Sequence, residues 1–325
     1  MATTAQTGES ARYRQKRVDP ETLMRIRNLQ LRARVVVEGF YNGLHRSPFH
    51  GFSAQFSEYR QYVRGDDLRY VDWKLYARSD RHYIKRYEDE TNLRCYLLVD
   101  RSQSMDFGSL SYRKSDYATT LAATLAYFLN RQRDAVGLLT FHESLGEYVP
   151  ARYRTGHFHR LLVGLETPLS GKRTDLVAPI QQIAEITRRR SLVVLISDLL
   201  ADPRELQKSF GSLRSCGHEI IVFQIADPAE LDFDFQNPAL FRDLESGKQL
   251  YVDPAAARRQ YLEGFARHDQ TIRQACEAHG IDRIKVSTEQ PLEDALFDFL
   301  QLRQATHASA RSHRRNSATV AEGRA

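Results

Sequence analysis

The stretch Leu93-Arg94-Cys95-Tyr96-Leu97-Leu98-Val99-Asp100-Arg101-Ser102-Gln103-Ser104-Met105 passes abruptly from apolar to polar. Leu93 to Asp100 is short, apolar and rich in β formers, which predicts a buried strand. Downstream, strands and helices alternate. Tyr117, Leu121, Leu125 and Phe128 recur at helical spacing over Ser115 to Asn130. Ala135 to Phe141 predicts a second strand and Glu147 to Val149 a short third, followed by helices over His157 to Glu166 and Leu176 to Arg189. Ser191 to Ser197 is apolar on both faces, as central parallel strands are. Pro203 opens a helix that Gly217 stops, and Glu219 to Ile225 is a further central strand. A hairpin over Leu240 to Val252 turning at Ser246-Gly247, a long helix from Ala255 to His279, a strand over Ile281 to Val286 and a helix over Leu292 to Leu302 complete the pattern. This alternation argues for an α/β fold with a doubly wound, mostly parallel sheet. In such sheets the ligand site lies at the carboxyl ends of the strands, where the winding reverses.

Three loops carry oxygen donors toward that edge. Asp100-x-Ser102-x-Ser104 places one carboxylate and two hydroxyls on a tight loop, and Asp198 ends the Ser191 to Ser197 strand. Thr174, in Gly171-Lys172-Arg173-Thr174-Asp175, offers a hydroxyl just before a helix. Taken alone, D-x-S-x-S could be a strand end and a helix cap; Thr174 and Asp198 in register turn it into a candidate metal set. All-oxygen donors with few charges suit Mg2+ or Mn2+ and leave a coordination position open.

Asp100, Ser102, Ser104, Thr174 and Asp198 together resemble the metal-ion-dependent adhesion site of von Willebrand factor A domains. The resemblance covers about Leu93 to Leu302. It implies that Ser102, Ser104 and Thr174 ligate the ion directly, that Asp100 and Asp198 hold it through water, and that an acidic group of a partner completes the shell. It also implies strand order 3-2-1-4-5-6, antiparallel only at the short edge strand near Glu147 to Val149. Upstream, Gly51-Phe52-Ser53-Ala54-Gln55-Phe56-Ser57-Glu58-Tyr59-Arg60-Gln61-Tyr62, Arg64-Gly65-Asp66-Asp67-Leu68-Arg69, Val71-Asp72-Trp73, Ala77-Arg78 and Arg86-Tyr87-Glu88 are similar to the motif of the bacterial domain of unknown function 58 family. That family couples such a module to an A-type domain, and its genes commonly neighbour a MoxR-type AAA+ ATPase. Two departures stand out. Many relatives carry membrane helices before the motif, and none is visible here. Arg101 stands where a small residue is frequent, a fixed positive charge expected to crowd or tune the ion site.

The organisation expected from the 325 residues is a disordered tail over 1–19, an N-terminal module with β content over 20–92, the von Willebrand factor A-like domain over 93–303 and a disordered basic tail over 304–325. Within the module, a helical pattern begins near Glu21, and aromatic residues around Trp73 are spaced as short strands and turns. The net charge of +6 lies at the ends: residues 1–50 hold nine basic against four acidic side chains, and the last twenty hold four arginines against Glu322. The body between is slightly acidic, so nucleic acid is not the expected partner. Cys95, Cys216 and Cys276 are odd in number and far apart, which excludes a disulfide framework and a paired zinc site. With no apolar run long enough for a membrane span and no signal segment, the expectation is a cytoplasmic protein.

Gly108-Ser109-Leu110-Ser111-Tyr112-Arg113-Lys114-Ser115 mimics a phosphate-binding loop, but Arg113 replaces its second glycine. His157-Phe158-His159 reads as a solvated helix start, and Asp232-Phe233-Asp234-Phe235 as an edge strand or turn. The reading that follows is a protein-binding adaptor or chaperone-like protein, not an enzyme. It captures an acidic group through the magnesium site and works with a MoxR-type ATPase and its client. The alternative is a metal-dependent hydrolase or phosphotransferase using the same carboxylates, with Asp106 or Asp175 activating water.

Overall fold

The computed structural model describes residues 17–44, 59–61, 83–85, 93–142, 144–167, 177–187, 190–244 and 247–303. Thr174, Asp175, most of the upstream motif and the tails at 1–16 and 304–325 lie outside the described residues. The elements in chain order are α1 (Pro20–Met24), α2 (Leu29–Leu44), β1 (Tyr59–Gln61), β2 (Tyr83–Lys85), β3 (Arg94–Asp100), α3 (Lys114–Arg131), β4 (Ala135–Phe141) and β5 (Leu145–Arg152). There follow α4 (His157–Leu165), α5 (Val177–Ile186), β6 (Leu192–Ser197), α6 (Pro203–Ser215), β7 (Glu219–Ala226), α7 (Pro228–Asp232), β8 (Ala239–Arg242), β9 (Gln249–Val252), α8 (Pro254–Ala278) and β10 (Asp282–Ser287), then helix α9 over 292–303.

Two compact units result, one from residues up to Gly43 and from Leu93 on, the other from Leu44–Asn92. In the smaller unit β1 and β2 pair antiparallel, Arg60 opposite Ile84. The boundary thus falls inside the expected 20–92 module, because α2 carries Leu29, Ala33, Val36, Val37 and Phe40 on one buried face. Arg32 on that helix bonds Thr120 of α3 at 2.9 Å, and Tyr41 stacks on Phe128. Residues 17–19 likewise do not belong to a loose tail. Arg17 pairs with Asp294, Val18 N donates to Glu293 Oε1 at 3.2 Å, and Asp19 caps α1 through Thr22 N. The helical pattern from Glu21 is broken at Asn28, whose side chain accepts from Leu31 N at 2.8 Å and starts a second helix.

The larger unit is built on a six-stranded sheet of order β10-β7-β6-β3-β4-β5. Numbered along the chain, this is the expected 3-2-1-4-5-6 sequence. All neighbours are parallel except β4 and β5. The antiparallel edge is longer than Glu147 to Val149, because register shifts beside Gly146 interrupt the alternation that marks a strand in sequence. A Cβ at Gly146 would collide with the Thr140 hydroxyl. Every residue of β6, and all but the first of β3, β4 and β7, is buried. Tyr96, Leu98, Val193, Leu195, Ile220 and Val222 line one face against Ile180 and Ile183 of α5, Leu206 and Phe210 of α6 and Ile272 of α8. The alternate residues face the other way, where α3 lies against the sheet. The chain order therefore reverses between β3 and β6.

Candidate metal centre

Strand pairing sets Val99 opposite Ile196, so the loops after β3 and β6 leave the sheet side by side. Asp100, fully buried, ends the first of them. Its Oδ1 accepts the Ser102 N–H at 2.9 Å, and its Oδ2 accepts the Ser197 hydroxyl at 2.5 Å. A short 3-10 turn, Gln103–Asp106, folds Ser104 back until its hydroxyl lies 3.0 Å from that of Ser102. The two serines of D-x-S-x-S thus present oxygens to one point beside a buried carboxylate.

Asp198 enters from β6 through an unusual backbone. Leu199, next in the chain, has φ 57°, the left-handed region that costs a branched side chain about 1–2 kcal/mol. Its fully buried side chain among Leu206 and Phe210 offsets that cost. The turn is also pinned by Leu199 N donating to Ser197 Oγ at 3.0 Å and Leu200 N to Asp198 Oδ1 at 3.2 Å.

The other oxygen of Asp198 is taken by a residue absent from the expected set. Lys114, fully buried, donates to Asp198 Oδ2 at 2.8 Å and to Glu230 Oε1 at 2.6 Å. Burial opposes its charge, yet Asp198 and Glu230 together hold the ammonium above its ordinary pKa. Glu230 in turn bonds Asp227 N at 2.9 Å in a capping box that starts α7. A sequence signal for Lys114 existed: with Tyr117, Ala118 and Leu121 it falls on the inward stripe of α3, a place a solvated lysine would avoid.

Among the described residues no such cation bonds Asp100. Burial and the neighbouring Asp198 push its carboxyl up to about 7, against the opposing hydrogen bonds from Ser197 and Ser102. A buried carboxylate pair with one ammonium, beside two converging hydroxyls, is a donor set that fits a hard divalent cation. Among the described residues no three His, Cys, Asp or Glu side chains form a metal cluster, as befits a candidate set with only two carboxylates.

Arg101 does not crowd this point. Its guanidinium turns away and donates to Thr119 Oγ1 at 2.8 Å, to Leu165 O at 2.9 Å and to Thr167 O. The loop Gly108–Ser115 holds no phosphate cradle, since Lys114 is committed to carboxylates and Gly108 is needed because a Cβ would strike Tyr112 O. His157 is buried, not solvated, its Nε2 2.7 Å from Val136 O. Pro228–Asp232 forms a short helix, and the stretch from Asp232 to Phe235 is its irregular exit, turned by Phe233 in the left-handed region rather than forming an edge strand.

The family profile described as "Protein of unknown function DUF58" matches residues 58–271, about two thirds of the chain. The chain belongs to DUF58. This DUF58 protein is 27% identical over 277 residues to an uncharacterized protein of Mycobacterium tuberculosis, covering 84% of this chain and 86% of that one. It is similar to the solved structure of the conserved hypothetical protein BatB from Bacteroides thetaiotaomicron, with TM-score 0.46 and 14% identity over 64% of this chain and 97% of that chain. An aerotolerance-related membrane protein from Bacteroides fragilis gives TM-score 0.44 and 16% identity over 63% and 97% of the two chains. In this DUF58 protein, among the described residues, no helix is long and apolar enough to cross a membrane.

Proposed function

We propose that this DUF58 protein is a cation-dependent protein-binding module, cytoplasmic and without an enzymatic reaction of its own. In this reading Asp100, Ser102, Ser104 and Asp198, with Thr174, hold Mg2+ or Mn2+. The observation that carries it is the buried Asp100 and Asp198 pair beside the facing hydroxyls of Ser102 and Ser104. A bound ion would supply a Lewis-acidic seat for a carboxylate of the partner. The chain's own part is to hold the donors still: Ser197 and the Ser102 N–H orient Asp100, and Lys114 fixes Asp198.

Capture is favoured over hydrolysis by what surrounds the serines. Among the described residues their hydroxyls bond each other and no imidazole bonds either one. Asp106, the described candidate for a water-activating base, is paired with Arg113. The partner we favour is a MoxR-type AAA+ ATPase together with its client, the partner that the family resemblance implies.

Calorimetry with MgCl2 tests the site. Wild type should bind one ion, and Asp100→Ala should weaken binding by at least about tenfold, as loss of an outer-shell ligand does. Equal binding by both proteins removes the site. Association with a purified MoxR-type ATPase should vanish in chelator. Magnesium-dependent turnover of phosphate esters, abolished by Asp175→Asn with the ion still bound, would instead establish the hydrolase.

A further inference from the structure

Two largely buried arginines share a cleft in which, among the described residues, neither makes an ion pair within 4 Å. The cleft, of about 440 Å3, is bounded by the N-terminal segment, the first turns of α3 and the end of α4. Arg27, Arg32, Arg101 and Arg113 line it, against the carboxylates of Asp116 and Glu166. Arg101 is only 8% exposed, and among the described residues its hydrogen bonds go to neutral oxygens, those of Thr119, Leu165 and Thr167. Arg32 likewise bonds the Thr120 hydroxyl at 2.9 Å and Met24 Sδ at 3.1 Å. The Nε of each is buried and has no partner among the described residues.

Buried charges are normally paired, because an unpaired one forfeits its hydration with no return. Asp116 acts on both arginines and Glu166 on Arg32, in each case only across space, and Arg113 at the rim is engaged by Asp106. The cleft also receives the start of α3, an 18-residue helix whose first-turn Ser115 lines it. The Asp116 carboxylate already caps that start, accepting the Arg113 N–H at 3.0 Å, so the guanidinium forks are the groups suited to a tetrahedral oxyanion. A volume of this order accommodates a small molecule rather than a bare ion.

We propose that this cleft binds the phosphoryl group of a small molecule, with the Arg32 and Arg101 guanidiniums that line it supplying the positive charge and Arg27 closing the rim. The site is separate from the candidate metal centre, and no cation is needed to hold the anion there.

Calorimetry on the full chain in EDTA tests the idea, with inorganic phosphate, pyrophosphate and ADP as probes and acetate as the carboxylate control. The expected result is one saturable site for a phosphorylated probe. Arg32→Gln should weaken it by about tenfold or more and exposed Arg27→Ala by about threefold, the scale of lost charge-assisted hydrogen bonds. ADP binding above phosphate assigns the site to a phosphorylated metabolite; equal affinities assign it to phosphate itself. Arg101→Gln should abolish binding if it folds, as circular dichroism would report; if it does not, Arg32→Gln and Arg27→Ala decide. No saturable heat with any probe overturns the proposal, as does unchanged binding in both of those variants or equal binding of acetate.

Discussion

Two buried cationic regions lie on either side of the N-terminal part of α3, and they are solved in opposite ways. Lys114 is enclosed by Asp198 and Glu230, each within 2.8 Å, and its charge is matched inside the protein. Among the described residues Arg32 and Arg101 bond only neutral acceptors, and each keeps an Nε without a partner. The same contrast divides the carboxylates, Asp198 holding an ammonium while Asp100 holds hydroxyl and amide donors. Closed charge of the first kind fixes geometry. Open charge of the second kind leaves capacity for something from outside.

Removing the closed cation should do the most damage. Lys114→Met leaves the buried Asp198 and the partly buried Glu230 uncompensated and should cost about 3–5 kcal/mol of stability in urea unfolding. A loss below about 1 kcal/mol would mean that Lys114 is not the internal counter-ion. Truncating an open cation should cost less: Arg32→Gln, in chelator and without added anion, should lose no more than about 1–2 kcal/mol, because its partners are neutral. A loss equal to that of Lys114→Met would erase the distinction between the two regions.

The smallest expected effect concerns a loosely paired carboxylate outside both regions, Asp134, 3.8 Å from Arg303 Nη1. Burial pushes Asp134 up to about 6, with Arg303 and the Leu93 N–H opposing. Its folded state therefore holds a proton more tightly than the unfolded chain, whose carboxyl titrates near 3.8. The stability contributed by this group is present below that value and is lost as pH rises through 6. Asp134→Asn keeps a hydrogen-bonding side chain and should flatten that decline between pH 4 and 6 in thermal unfolding. An unchanged slope would show that Asp134 is already relieved by Arg303.

Much of this was legible in the sequence because it is local. The apolar run before Asp100, the D-x-S-x-S spacing and the helix stop at Gly217 all act within a few residues. What escaped was set by distant partners. Lys114 meets Glu230 across 116 positions, and Arg101 reaches Leu165 across 64, distances over which periodicity says nothing. Asn28 escaped for a different reason: one capping side chain divides a helical pattern whose apolar spacing runs straight through it. The extent of β5 was hidden by its irregular register, and the unit boundary by the packing of α2.

Arg101 belongs to both neighbourhoods at once. Its backbone N–H, between Asp100 and Ser102, is tied to Phe141 O at 2.7 Å, while its guanidinium is fastened to the last turn of α4 and the cleft beyond. One side chain therefore acts as a strut between the candidate cation loop and the arginine cleft. Thermodynamic linkage then obliges symmetry: whatever factor an anion imposes on cation affinity through that strut, the cation must impose on the anion. Two ligands that never touch would report on each other through a single residue, and the sign of the exchange would reveal whether the strut pushes or pulls.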